Sequence, residues 1–425
     1  MIQSKKILKT SLLCFMFLII YIFSKDVLCF NDSYSLKDNI NSVHIVSCAK
    51  IGNMGDLLMH SPLITAYYDK NSNSHNFENI FSYMSPYIKN VDYSVINMEG
   101  TLSSKNFSGY PCFRCPECII DHCGFDMFLT ANNHSYDARS SGFHHTSETL
   151  KNKNVDFIGT RLNEDDKKYI VKEINGIKLG LINYTYGTIN KDGTVSVNGI
   201  PCNASDSKLL NVFDYNFLDT FFDEQETLIA NMKKDGADKI IYYMHWGNEY
   251  QLKENSLQRK IAQKLCDLGV DVIIGGHPHV VQPMDLLHSK ISGKDTICIY
   301  STGNAISNQR RNLMNLKTGH TEDGVFFTLS FTKYSDGNVL LSDIEILPTW
   351  VNLYTTDNGK KNYQILPLDK EKDWTTCFGL SPNLLDHAEK SYERTMAILG
   401  SGFKKAKNFI RENLINSYPN IYTSI

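Results

Sequence analysis

The sequence has no excess of charge of either sign: 43 lysines and arginines stand against 46 aspartates and glutamates, a net charge of −3 over 425 residues. Nucleic-acid binding leaves a basic footprint, so that class of partner is excluded. Internal repeats and low-complexity tracts are also absent, and nothing points to a repeat array or a linker. A long apolar run occurs only at the N-terminus, and even there it is short for a bilayer span. It covers Leu12 to Phe23, after Lys5, Lys6 and Lys9 and before Ser24, Lys25 and Asp26. With Ile7 and Leu8 it approaches the lower limit of about 17 residues. Residues 1–30 therefore fit both a cleaved signal peptide and a retained membrane anchor, and the leading lysines predict that everything after Asp26 lies outside the cytoplasm. Cys29 stands where a lipoprotein acceptor would, but Leu28 before it is too large for the usual small-residue cleavage site.

What is present is an ordinary globular composition, 42% hydrophobic, enough for one large α/β core or two smaller ones. The stretch from Asp238 to Asp285 carries the most chemistry. Two strand-like runs, Lys239–Met244 and Val272–Ile274, each end in histidine: His245 after the first, His277 and His279 after the second. A helical spacing at Ser256–Leu268 separates them, giving a βαβ unit whose strands pair in parallel. Side chains just past the carboxyl ends of parallel strands gather in one crevice, so these histidines are expected to converge on a metal or phosphate-type site.

The same pattern recurs earlier. Val43–Ala49 reads as a strand running into Gly52 and Gly55, which permit a tight turn before Asp56. Asp56 at that point suits a metal ligand and equally a turn or helix cap. Tyr93–Met98 delivers Asn97 and Glu99, and Phe125–Thr130 precedes Asn132, Asn133 and His134. An amide offers a neutral oxygen ligand or a donor, and imidazole a base, a donor or a metal nitrogen; the alternative for His134 is capping a helix over Ser141–Lys151. Tyr169–Thr185 predicts a β-hairpin turning at Asn175-Gly176. Gly187–Lys208 reads as a loop, Asp223–Lys234 as a helix, Thr296–Tyr300 as a buried strand, and Gly324–Thr332 with Val339–Leu347 as antiparallel strands. Beyond Pro382, Leu384–Leu399 and Phe403–Leu414 read as helices, either a layer on the sheet or a separate appendage.

Four of the 11 cysteines crowd together as Cys112, Cys115, Cys118 and Cys123. Their spacing misses the bacterial ferredoxin run by one residue and lacks its closing proline. Free thiols or local disulfides are the simpler reading, with a bound metal beside it.

Six motifs then stand in a telling order: Gly55-Asp56-Leu57-Leu58-Met59-His60, Asn97-Met98-Glu99-Gly100-Thr101, Ala131-Asn132-Asn133-His134, His245-Trp246-Gly247-Asn248-Glu249-Tyr250, Gly276-His277-Pro278-His279-Val280-Val281-Gln282 and Tyr300-Ser301-Thr302-Gly303-Asn304. In this order the chain, from Val43 to Leu347, resembles the CapA family of poly-γ-glutamate capsule synthesis proteins. The resemblance implies an α/β fold similar to the calcineurin-like metallophosphatases, a two-sheet β-sandwich flanked by helices (αββα), over residues 43–350. The signal or anchor segment precedes it and a C-terminal helical region, 380–425, follows.

It also implies a two-metal centre of manganese, zinc or iron held by Asp56, Glu99, Asn133, His245, His277 and His279, with His134 as acid or oxyanion donor. Glu249 falls where a further ligand, a general base or a loop-holding salt bridge would lie, and Asn97, Asn132, Tyr110, Trp246 and Asn304 fall on the substrate side. The chain departs from the phosphatase pattern in two ways: no aspartate-x-histidine is present, since His60 lies four residues past Asp56, and Asn97-x-Glu99 replaces the bridging aspartate. The expected role is in making, releasing or attaching an anionic polymer, poly-γ-glutamate or a related chain, as a metal-dependent hydrolase or transferase of γ-glutamyl or amide linkages. The alternatives are a non-catalytic polymer-binding accessory of a membrane synthetase, and a metal-dependent phosphoesterase.

Overall fold

Strand alternation builds the layers. The computed structural model describes residues 42–357 and 359–423, so the 1–30 segment with Cys14 and Cys29 lies outside the described residues. The chain opens one sheet with β1 (Ile45–Leu57), β2 (Tyr93–Met98), β3 (Met127–Leu129) and β4 (Asp156–Ile158). It then makes the whole of a second sheet: β5 (Tyr169–Ile174), β6 (Ile177–Tyr186), β7 (Val212–Phe213), β8 (Lys239–His245), β9 (Val272–Gly276), β10 (Val281–His288) and β11 (Asp295–Thr302). Finally it returns to the first with β12 (Asn304–Ile306), β13 (Asp323–Tyr334), β14 (Val339–Thr355) and β15 (Lys361–Pro367). The first sheet runs β15-β14-β13-β1-β2-β3-β4 with β12 beside the end of β1; the second runs β7-β6-β8-β9-β11-β10, with β5 paired to β6.

Successive side chains on a strand face opposite ways, and here one set of each sheet meets the other sheet. Ile51, Val95 and Met127 of the first pack with Leu181, Ile241, Ile274 and Ile299 of the second in a single core. The outward sets are covered by helices. Ile96, Met98 and Phe128 meet Leu63, Ile80, Phe81 and Ile119. Tyr242, Ile273 and Tyr300 meet Phe221, Ile229, Ile261 and Leu265, which lie on α2 (Leu218–Lys234) and α3 (Ser256–Leu268); α1 (Arg139–Asn152) precedes them.

Several expectations hold and several shift. The parallel β8-α3-β9 unit forms as read, and Asn255 opens α3 with a capping box to Gln258. Asn175 and Gly176, at φ of 51° and 77°, make the β5–β6 hairpin turn. Gly52 and Gly55, however, make no turn: both lie inside β1, which runs on to Leu57. A Cβ at Gly52 would meet the Phe326 ring at 2.2 Å and one at Gly55 the Gly303 carbonyl at 1.9 Å, so close approach is what requires glycine there. Residues 187–208 are not a bare loop but a small three-stranded sheet followed by the helix Ala204–Ser207.

The two C-terminal helices are one, α4 (Pro382–Ser417). Gly402 sits mid-helix because a Cβ there would lie 1.9 Å from the Met284 carbonyl of β10. Leu399, Ala406, Ile410 and Leu414 of α4 enter the inter-sheet core, so this helix is a layer of the fold and not an appendage. Residue 350 falls within β14, and β15 and α4 continue the same unit. Among the described residues no helix is long and apolar enough to cross a membrane.

Candidate metal centre

The carboxyl ends of the parallel strands from both sheets meet at one place. Asp56 closes β1, Glu99 follows β2, Asn133 and His134 follow β3, His245 ends β8, and His277 and His279 follow β9. All are buried. Glu99 Oε1 lies 3.6 Å from His245 Nε2 and 3.6 Å from His279 Nε2, between two groups of ligands. Three overlapping sets each bring one ligand atom per residue within 4.8 Å of the others: Asp56, Glu99 and His279; Glu99, His245 and His277; and Glu249, His277 and His279. Asn133 Oδ1 joins them 2.8 Å from His245 Nε2. His277 and His279 take φ values of 95° and 56°, a region that costs a non-glycine residue about 1–3 kcal/mol and is characteristic of functional turns.

The supports are equally specific. Asn97 Nδ2 donates to Asp56 Oδ1 at 2.7 Å, and the His277 backbone N–H donates to Asp56 Oδ2 at 3.0 Å. Asn132 Nδ2 donates to the Met98 carbonyl at 2.7 Å, and Asn304 Oδ1 lies 3.1 Å from His279 Nδ1. Asn304 Nδ2 in turn donates to the His279 carbonyl at 3.3 Å, which fixes that ring.

Burial alone would raise the Asp56 carboxyl, but the His279 hydrogen bond and the charges of His245 and His279 outweigh it and hold its pKa below the usual value. Burial pulls His279 down, yet Glu99 and Asp56 more than offset it and lift it to about 9. Burial, with His245 and His279 nearby, holds His277 well below the imidazole range. The decisive feature is Glu99. Both of its oxygens are buried and accept no hydrogen bond, and His277 Nδ1 is buried without a partner as well. Leaving a buried carboxylate unsatisfied costs several kcal/mol, on the order of the price of a lost charged partner. Two carboxylates, three imidazoles and an amide oxygen arranged this way can hold a metal ion, and the unpaired atoms fit one.

A match to the family described as bacterial capsule synthesis protein PGA_cap covers residues 50–309, more than half of the chain and every one of these residues. The chain belongs to this family. Among similar PGA_cap-type relatives, the capsule biosynthesis protein CapA of Bacillus anthracis is 28% identical over 247 residues, 56% of this chain and 56% of that protein. The PGA biosynthesis protein CapA of Bacillus subtilis (strain 168) is 24% identical over 348 residues, 79% of this chain and 82% of that one. The chain thus spans little more than half the length of the first of these relatives. A solved calcineurin-like phosphoesterase, YfkN from Bacillus subtilis, aligns with 71% of this chain and 90% of its own at a TM-score of 0.36 and 17% identity.

Of the residues expected at the site, the six ligand candidates come together, and His134, Glu249 and Tyr110 line a cleft of about 810 Å³ above them. Tyr110 is 74% exposed at its mouth. Asn97, Asn132 and Asn304 are buried and do not line that cleft; Asn97 and Asn304 bond the ligand candidates Asp56 and His279, while Asn132 bonds Asn97 and the Met98 carbonyl. Trp246 is not brought to the cleft at all. Its neighbour His245 points inward, so alternation sends the indole to the opposite face, where it is fully buried and donates to the Tyr300 carbonyl at 2.9 Å. His134 does not cap α1, whose N-cap is Ala138. The nine cysteines from Cys48 onward are free, and among the described residues no cysteine group is placed to hold a metal. Cys115 and Cys123 are core residues whose thiols burial pushes up, Cys123 to about 12.

The residues not foreseen are Asp137, His60 and Tyr250. Asp137 Oδ2 lies 2.9 Å from His134 Nδ1 and accepts the Phe113 N–H at 2.7 Å; its signal was the three-residue step from His134. His60, already inside the first motif, and Tyr250 both line the cleft.

Proposed function

We propose that this chain works in capsular polymer production as a metal-dependent hydrolase or transferase of the γ-glutamyl amide linkage of an anionic polymer. The fully buried Glu99 carboxylate, which accepts no hydrogen bond and lies 3.6 Å from two histidine rings, carries this reading, because it is hard to explain in a module that only binds chains. Asp56, Glu99, Asn133, His245, His277 and His279 would hold one or two divalent ions, with Glu249 on the exposed side, and mixed imidazole, carboxylate and amide donors favour manganese, zinc or iron. A metal in such a cluster supplies Lewis acidity at neutral pH.

The chain's own part is proton management and positioning. Burial lowers the His134 pKa, but the Asp137 hydrogen bond and the Glu99 charge outweigh it and raise it. With Nδ1 engaged by Asp137, Nε2 is left for the cleft, where His134 can pass a proton to the departing amine nitrogen. Tyr110 and Tyr250 form walls that hold the chain over the centre. The N-terminal lysine-flanked apolar run supports a place outside the cytoplasm, membrane-held or secreted.

Incubation with γ-linked glutamate oligomers tests this reading directly. Manganese- or zinc-loaded protein should yield shortened or transferred chains by mass spectrometry, and chelation should stop it. Oligomer that binds but stays intact would establish the accessory role instead, and turnover of an aryl phosphate with intact oligomer would establish a phosphoesterase.

A further inference from the structure

Among the described residues the cleft over the metal centre offers an anionic polymer no lysine or arginine, although such a chain carries a carboxylate on every unit. A second cleft of about 340 Å³ supplies them: Lys105, Arg114 and His145 line it with Ser103, Ser104 and Ser141. One loop separates the two clefts. Tyr110 and Pro111 on it line the first cleft, while Asn106 and Arg114 line the second. Arg114 and Ser108 pair across the base of this loop, Arg114 N donating to the Ser108 carbonyl at 2.9 Å. Phe113, next to Arg114, sets its ring edge-on to His60 and His134, with centroids 5.1 and 4.8 Å away. Among the described residues neither Lys105 nor Arg114 forms an ion pair, and the neighbouring acid, Glu117, is taken up by His145 at 2.7 Å. Two cations thus stand in a concave site without an ion pair among the described residues.

We propose that this second cleft is an anion subsite for a carboxylate of the polymer chain whose linkage lies over the metal centre; the inference rests on the polymer reading above. A chain crossing the Tyr110–Arg114 loop sets a free carboxylate between Lys105 and Arg114. The planar arginine fork matches its two oxygens, and the serine hydroxyls complete the remaining bonds. The subsite holds the chain in register, and the metal centre selects the bond.

Calorimetric titration of the metal-loaded full chain with a short γ-linked glutamate oligomer tests this. Wild type is compared with the Lys105→Gln plus Arg114→Gln variant and with Ser141→Asp. Ser141 is in the first turn of α1, where an acidic side chain favours the helix, and a thermal melt of each variant separates weaker binding from loss of fold. Both variants should bind roughly tenfold more weakly, with unchanged metal content, and the double variant should lose part of the salt dependence shown by wild type. Equal affinity in all three proteins would overturn the subsite and leave the polymer reading standing. Absence of binding by wild type would overturn the polymer reading, and the subsite with it.

Discussion

Glu99→Gln should yield a protein that melts no lower than wild type in the presence of chelator, yet binds manganese or zinc at least about 100-fold more weakly. The first half follows from the lack of any hydrogen bond to either Glu99 oxygen in a fully buried pocket. Glutamine keeps the shape and removes a buried charge whose desolvation costs several kcal/mol, on the order of a buried ion's usual cost, of which the His245 and His279 rings at 3.6 Å offset only part. The substitution does not strand His279, because Asp56 Oδ2 remains 3.5 Å from its Nδ1. The second half follows from Glu99 belonging to two of the three ligand sets; loss of an outer support alone typically costs 10–100-fold in metal affinity, and loss of a shared ligand costs about as much or more. Function would thus be held at the expense of stability. Thermal melts in EDTA and metal titration check both halves. A collapse of the metal-free variant would make Glu99 a structural partner of the histidines, and undiminished metal affinity would remove it from the centre.

His134→Ala should lower kcat on the γ-linked oligomer by about 10²–10⁴-fold while leaving metal content and melting temperature close to wild type. His134 is the cleft-facing group with a carboxylate behind it and without a place in any ligand set. Asp137→Asn should fall in the same direction by a smaller factor, since an amide keeps an oxygen for the Phe113 N–H but no longer carries the charge facing His134. Single-turnover rates beside elemental analysis separate the two roles. If either substitution strips metal, His134 serves the centre's architecture and not proton transfer.

The ligands were legible because a simple rule governs them: polar residues just past the carboxyl ends of parallel strands share one crevice, whatever their separation in sequence. Six of them, from Asp56 to His279, obey it. The same sequence misleads where a residue's type has two uses. Gly52 and Gly55 resemble turn residues, but they answer to Phe326 and Gly303 from strands β13 and β11–β12, contacts that no local pattern records. Gly400 and Gly402 look like a break between two helices, whereas Gly402 lets one helix press on β10. Trp246 sits within a recognisable motif and yet faces away, since adjacent strand residues cannot share a face. β10 and β15 carry little strand pattern of their own, because their pairing partners, β11 and β14, are what make them strands. Asp137 is hard to single out in the sequence because its meaning depends on the His134 ring being turned toward it.

Elemental analysis tests the central claim most directly: wild type purified without chelator or affinity metal, beside a His245→Ala plus His277→Ala double variant shown by thermal melt to be folded. About one or two transition-metal ions per wild-type chain are expected, and none in the variant. Metal that persists in the double variant, or a wild type that carries none and takes up no added manganese, would contradict a metal centre at this site.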